Sequence, residues 1–86
     1  MQIDGAVIRE QGITFAVVVV KREVLNSSTQ AQDAIRSFMP AFPGMPVMLM
    51  AKDHRGVPTY YGRQDISRFM SSVPMHRIPW KRYDIH

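Results

Sequence analysis

The 86-residue chain contains no cysteine. That absence excludes a disulfide framework, a thiolate zinc site and a thiol nucleophile. Acidic groups are scarce as well: seven Asp and Glu stand against eleven Lys and Arg, a formal net charge of +4. Such a balance permits a polyanionic partner but falls short of a histone-like tail. Long apolar runs are missing too. The longest, Ile13 to Val20 with Thr14 included, covers eight residues, against about 20 for a helix that spans a bilayer. The opening Met1-Gln2-Ile3-Asp4-Gly5 has none of the basic, apolar and small-residue succession of an export signal, so the chain reads as cytoplasmic.

The signatures of chemistry are equally sparse. Neither G-x-G-x-x-G nor G-x-x-x-x-G-K-[ST] occurs, which removes the ordinary phosphate cradles, and there is no G-x-S-x-G nucleophile elbow. The carboxylates Asp4, Glu10, Glu23, Asp33, Asp53, Asp65 and Asp84 are scattered, with no pair placed for acid and base roles. His54, His76 and His86 fall in a turn, a loop and at the C-terminus, without an i, i+4 pair. The expectation is therefore a protein that is not an enzyme and holds neither metal nor cofactor.

What is present is alternating strand and helix patterning. Gln2–Arg9 and Ile13–Val20 carry β-type residues on either side of Gly12 and read as a hairpin. In the second strand both parities are apolar, so both of its faces must be covered. Asn26-Ser27-Ser28-Thr29 supplies capping residues, and Ser27 with Gln30 fits a capping box. Ala31, Ala34, Ile35 and Phe38 then follow helical spacing until Pro40, Pro43, Gly44 and Pro46 end the helix. Val47–Ala51 and Val57–Tyr61 flank a turn closed by Gly56, and Pro58 places the second strand at an edge or with residue 58 at its start. Ile66, Phe69, Met70 and Val73 mark a second amphipathic helix over Gln64–Ser72.

The order β-β-α-β-β-α predicts one α+β domain over residues 1–86: a two-layer sandwich, mainly antiparallel, with both helices on one face. Residues 73–86 form a C-terminal extension. Its Trp80–Ile85 stretch either adds an edge strand or lays Trp80, Tyr83 and Ile85 over the second face. Apolar residues on both sides of the Ile13 and Val47 strands would leave a large bare patch on a two-layer fold. The expectation drawn from this is a homodimer through the helix-free sheet face, in which Val17→Asp or Val18→Asp dissociates the pair. Met48 and Met50 share one face of their strand and suit an adaptable contact with a partner.

Function reads as a non-catalytic interaction or binding module whose partner, protein or small ligand, is not named by the residues. The alternative is single-stranded nucleic-acid binding. Residues 1–67 are nearly balanced at +1, while residues 68–86 carry +3. There Arg77, Lys81 and Arg82 interleave with Trp80 and Tyr83, offering cations for phosphates and rings for bases. A weaker anion site lies at Gly62 and Arg63, where a strand passes into a helix start.

Overall fold

The computed structural model describes residues 1–10 and 12–85. It is a small α+β fold in which a five-stranded mixed sheet carries two helices. The strands are β1 (Gln2–Glu10), β2 (Ile13–Val19), β3 (Val47–Lys52), β4 (Pro58–Tyr61) and β5 (Lys81–Asp84). The helices are α1 (Ser28–Phe38) and α2 (Gln64–Ser71). Strand order across the sheet is β4-β3-β2-β1-β5. Three of the four pairings are antiparallel, and β2 with β3 is parallel. The C-terminal stretch does supply an edge strand, β5, beside β1.

Local signals account for the element boundaries. Ser27 has extended backbone and its Oγ accepts from the Gln30 amide, which satisfies one free donor at the start of α1. Pro40 continues the chain only as a short 3-10 turn over Met39–Ala41. Asp53 closes the β3–β4 turn: its Oδ1 accepts from the amides of Arg55 and Val57, and Gly56 takes a positive φ of 81°.

The two-layer arrangement with both helices on one face is not what forms. Ala31 and Phe38 of α1 pack on Ala16, Val18, Val47 and Leu49. Ile66 and Met70 of α2 pack on Phe15, Val17, Met48 and Met50. Neighbouring residues of a strand point to opposite faces, so the helices lie on opposite sides and the fold has three layers. Among the described residues each sheet face carries a helix, so the helix-free face expected for a dimer is not there. The physical reason is the parallel β2–β3 pair, which needs a crossover helix on one side. Central strands of that kind read as continuous apolar runs because both faces are covered within the chain. Val17, Val18, Met48, Leu49 and Met50 are all fully buried.

The C-terminal aromatics divide between the layers. Trp80 packs with the α2-face core, whereas Tyr83 and Ile85 pack with the α1-face core. The Tyr83 ring meets Phe42 edge to face at 5.1 Å and lies over Gly5, a buried residue of β1 without a side chain. Among the described residues no helix is long and apolar enough to cross a membrane.

Candidate binding site

The structure separates the residues singled out for nucleic acid. Lys81 and Tyr83 share the α1 side of β5, and Trp80 and Arg82 belong to the α2 side. Arg82 is engaged: its Nε donates to Asp4 Oδ1 at 2.8 Å and its Nη1 to Gln2 Oε1 at 3.2 Å. Both rings are committed to packing, Trp80 half-buried and Tyr83 against Phe42. Arg77 stands apart in a 3-10 turn over Met75–Arg77.

At Gly62 and Arg63 the sheet does pass into α2, yet the anion is already supplied by the chain. Arg63 donates through Nε and Nη2 to the two oxygens of Asp65, at 3.2 and 2.7 Å. The Ile66 amide donates to the same carboxylate at 2.9 Å. The Arg63 hydrogen bonds, more than the other contacts, hold the Asp65 carboxyl below its ordinary range. His54 and His76 are exposed and apart, and His86 lies outside the described residues. Among the described residues no group of three His, Asp or Glu side chains could hold a metal.

A different site emerges along β1. The amides of Ala16 and Val20 donate to Pro46 and Met50, so the even residues of β2 turn their backbone groups toward β3. The odd residues Ile13, Phe15, Val17 and Val19 therefore face β1. Their register partners there are Glu10, Ile8, Ala6 and, one step further, Asp4. It follows that Ile3, Gly5, Val7 and Arg9 present N–H and C=O to the outer edge of β1. Reciprocal bonds between Met1 and Ile85, at 2.7 and 2.9 Å, continue this outward row.

Strand β5 covers only part of that edge. It pairs with Gln2–Gly5, ending on Gly5 opposite Lys81. Continuing the register places residue 79 opposite Val7, and residue 79 is a proline. Proline has no N–H to give to the Val7 carbonyl, and the chain departs into the Met75–Arg77 turn instead. No backbone bond joins Val7 or Arg9 to Pro79 or its neighbours among the described residues. Among the described residues, two donors and two acceptors thus remain open on β1.

A cleft adjoins this open edge on the α2 side. It measures about 440 Å³ and is walled by Ile8, Phe69, Val73, Ile78 and Pro79, with the exposed Glu10 and Arg77 also lining it. A smaller hollow lined by Ile13, Phe15, Ile66 and Phe69 shares Glu10 and Phe69 with it. On the α1 side the edge carries Val7, which is 38% exposed, and Arg9. The outermost strands look different: β4 is four residues long and starts on Pro58, and β5 is four residues with three charged side chains. Both are short and blunted against strand addition.

The sequence reading missed this site because an open edge belongs to the pairing between distant segments. The one signal available was Pro79, recognisable as a stiff point but meaningful only once β5 lies beside β1. Comparison of the chain with protein-family models, curated proteins and solved structures gives no match.

Proposed function

We propose that the protein is a non-catalytic interaction module that takes an extended segment of a partner as an added strand on the open edge of β1. The observation that carries this reading is the unpaired outward backbone of Val7 and Arg9, left open where Pro79 ends the β1–β5 pairing. Strand addition uses such groups for affinity and adjacent pockets for selection. Four main-chain hydrogen bonds contribute roughly 1 kcal/mol each. Association itself costs about 4 kcal/mol or more, so binding requires side chains that enter the cleft beside Ile8.

Alternate residues of an added strand point to opposite faces. One set enters the cleft between Ile8 and Ile78, and the other lies beside Val7 and Arg9. The test is amide hydrogen exchange by NMR in the presence of end-capped extended hexapeptides. Protection of the Val7 and Arg9 amides is the expected result. Val7→Pro removes only an outward donor, so it should keep the fold and lose the peptide. Ile8→Pro cuts the ladder to β2 and should destabilise the sheet. Peptides that bind without protecting Val7 and Arg9 would defeat the proposal.

A further inference from the structure

Resting on the strand-addition reading, we infer that the segment taken by β1 is acidic on one face: apolar residues alternate with Asp or Glu, the apolar set in the cleft and the acidic set on the α1 side. The alternation follows from geometry. A residue of the added strand beside Ile8 faces the cleft, and its neighbours beside Val7 and Arg9 face the other way, whichever direction the segment runs.

The charge follows from a census of ion pairs. Asp4 is paired with Arg82, Asp33 with Arg36, Asp65 with Arg63, and Asp84 with the N-terminal ammonium. Asp53 accepts two backbone amides in its turn. Around the open edge Arg9, Arg77 and Lys81, like Lys21, Arg22, Lys52, Arg55 and Arg68 elsewhere, have no carboxylate within 4.0 Å among the described residues, and the three at the edge are exposed. Glu10 is the one carboxylate among the residues bordering the cleft beside that edge. Arg9 lies on the α1 side, directly beside the added strand. Lys81 lies on the same side at its end, because it sits opposite Gly5, two residues along from Val7. Opposite charges across neighbouring strands attract and like charges repel. A segment with lysine at these positions would meet two cations, and a segment with glutamate would pair with both.

The experiment compares three end-capped hexapeptides in which isoleucine alternates with glutamate, glutamine or lysine. Amides on one edge are N-methylated so that the peptides pair through the other edge only and cannot stack into extended sheets. The expected order is glutamate tightest, by about five-fold over glutamine as exposed ion pairs of this kind give, with lysine weakest. That preference should shrink as salt rises. Arg9→Gln combined with Lys81→Gln should bring the glutamate-over-glutamine preference close to unity, with the amides of residues 7 and 9 still protected by the glutamine peptide. Equal binding of all three peptides, with Val7 and Arg9 still protected, would overturn the acidic assignment and leave strand addition standing. Protection by none of them would remove strand addition itself. Protection that grows with protein concentration and needs no peptide would overturn the inference in favour of a second copy. A single-stranded decathymidine that perturbs Arg9, Arg77 and Lys81 more strongly than the glutamate peptide would overturn it in favour of nucleic acid.

Discussion

Single residues set limits that composition does not reveal. Gly62 adopts a φ of 146°, in the region that side-chain-bearing residues rarely enter, and a Cβ there would run into the Met48 thioether. Met48 is fully buried and has little room to yield. Gly62→Ala should therefore lower stability by about 1–3 kcal/mol, readable from urea denaturation. An unchanged midpoint would contradict the close approach. Tyr60 is a second case. Its hydroxyl is buried with no hydrogen-bond partner among the described residues, and burial raises its pKa above the ordinary tyrosine value. A group whose pKa is raised on folding contributes stability below its unfolded pKa and loses it as pH climbs through the folded value. Stability should fall above about pH 10, and Tyr60→Phe should flatten that fall. At neutral pH the same substitution should stabilise by about 1 kcal/mol, since it deletes an unsatisfied polar group.

At the scale of elements, α1 and β5 show the two ways this chain stops and starts. The start of α1 was legible in the sequence, because a cap is a local bond: Ser27 reaches three residues ahead. Ser27→Ala should cost about 0.5–1 kcal/mol, seen as a lower thermal midpoint with the native fold retained, and Ser27→Asp should restore most of it. The start of β5 is decided differently. Trp80 to Ile85 alternates only loosely, and its pairing with β1 rests on partners about 80 positions away, as in the Arg82–Asp4 contact. The candidate residues Arg77, Trp80, Lys81, Arg82 and Tyr83 are basic and aromatic, yet alternation along β5 assigns successive ones to opposite faces. Arg77 and Lys81 end near the open edge of β1, and Trp80 and Tyr83 are used in two separate cores.

The whole molecule resolves the question posed by the doubly apolar strands. A second chain is not needed to cover them, because α1 and α2 take one face each. This changes the expected behaviour of Val17→Asp and Val18→Asp. Each residue is fully buried beneath a helix, so each substitution places an unpaired charge in a core at a cost of several kcal/mol. That is a large share of the stability of a small fold. Both variants should lose cooperative thermal unfolding, measured by circular dichroism. A folded variant of reduced mass in solution would instead mean that a dimer had come apart.

Local chemistry in the sequence was enough to specify the α+β class, both hairpin turns, the two helices and the edge character of β4. Caps, turn glycines, prolines and apolar periodicity act within a few residues, so the sequence determines them by itself. Only the tertiary structure decided which sheet face each helix covers, because a helix's apolar stripe is equally suited to either side of a doubly apolar sheet. It alone decided, too, that β5 stops short and leaves Val7 and Arg9 open. Pro79 is visible to any reader of the sequence, but its missing N–H matters only when register sets it opposite Val7.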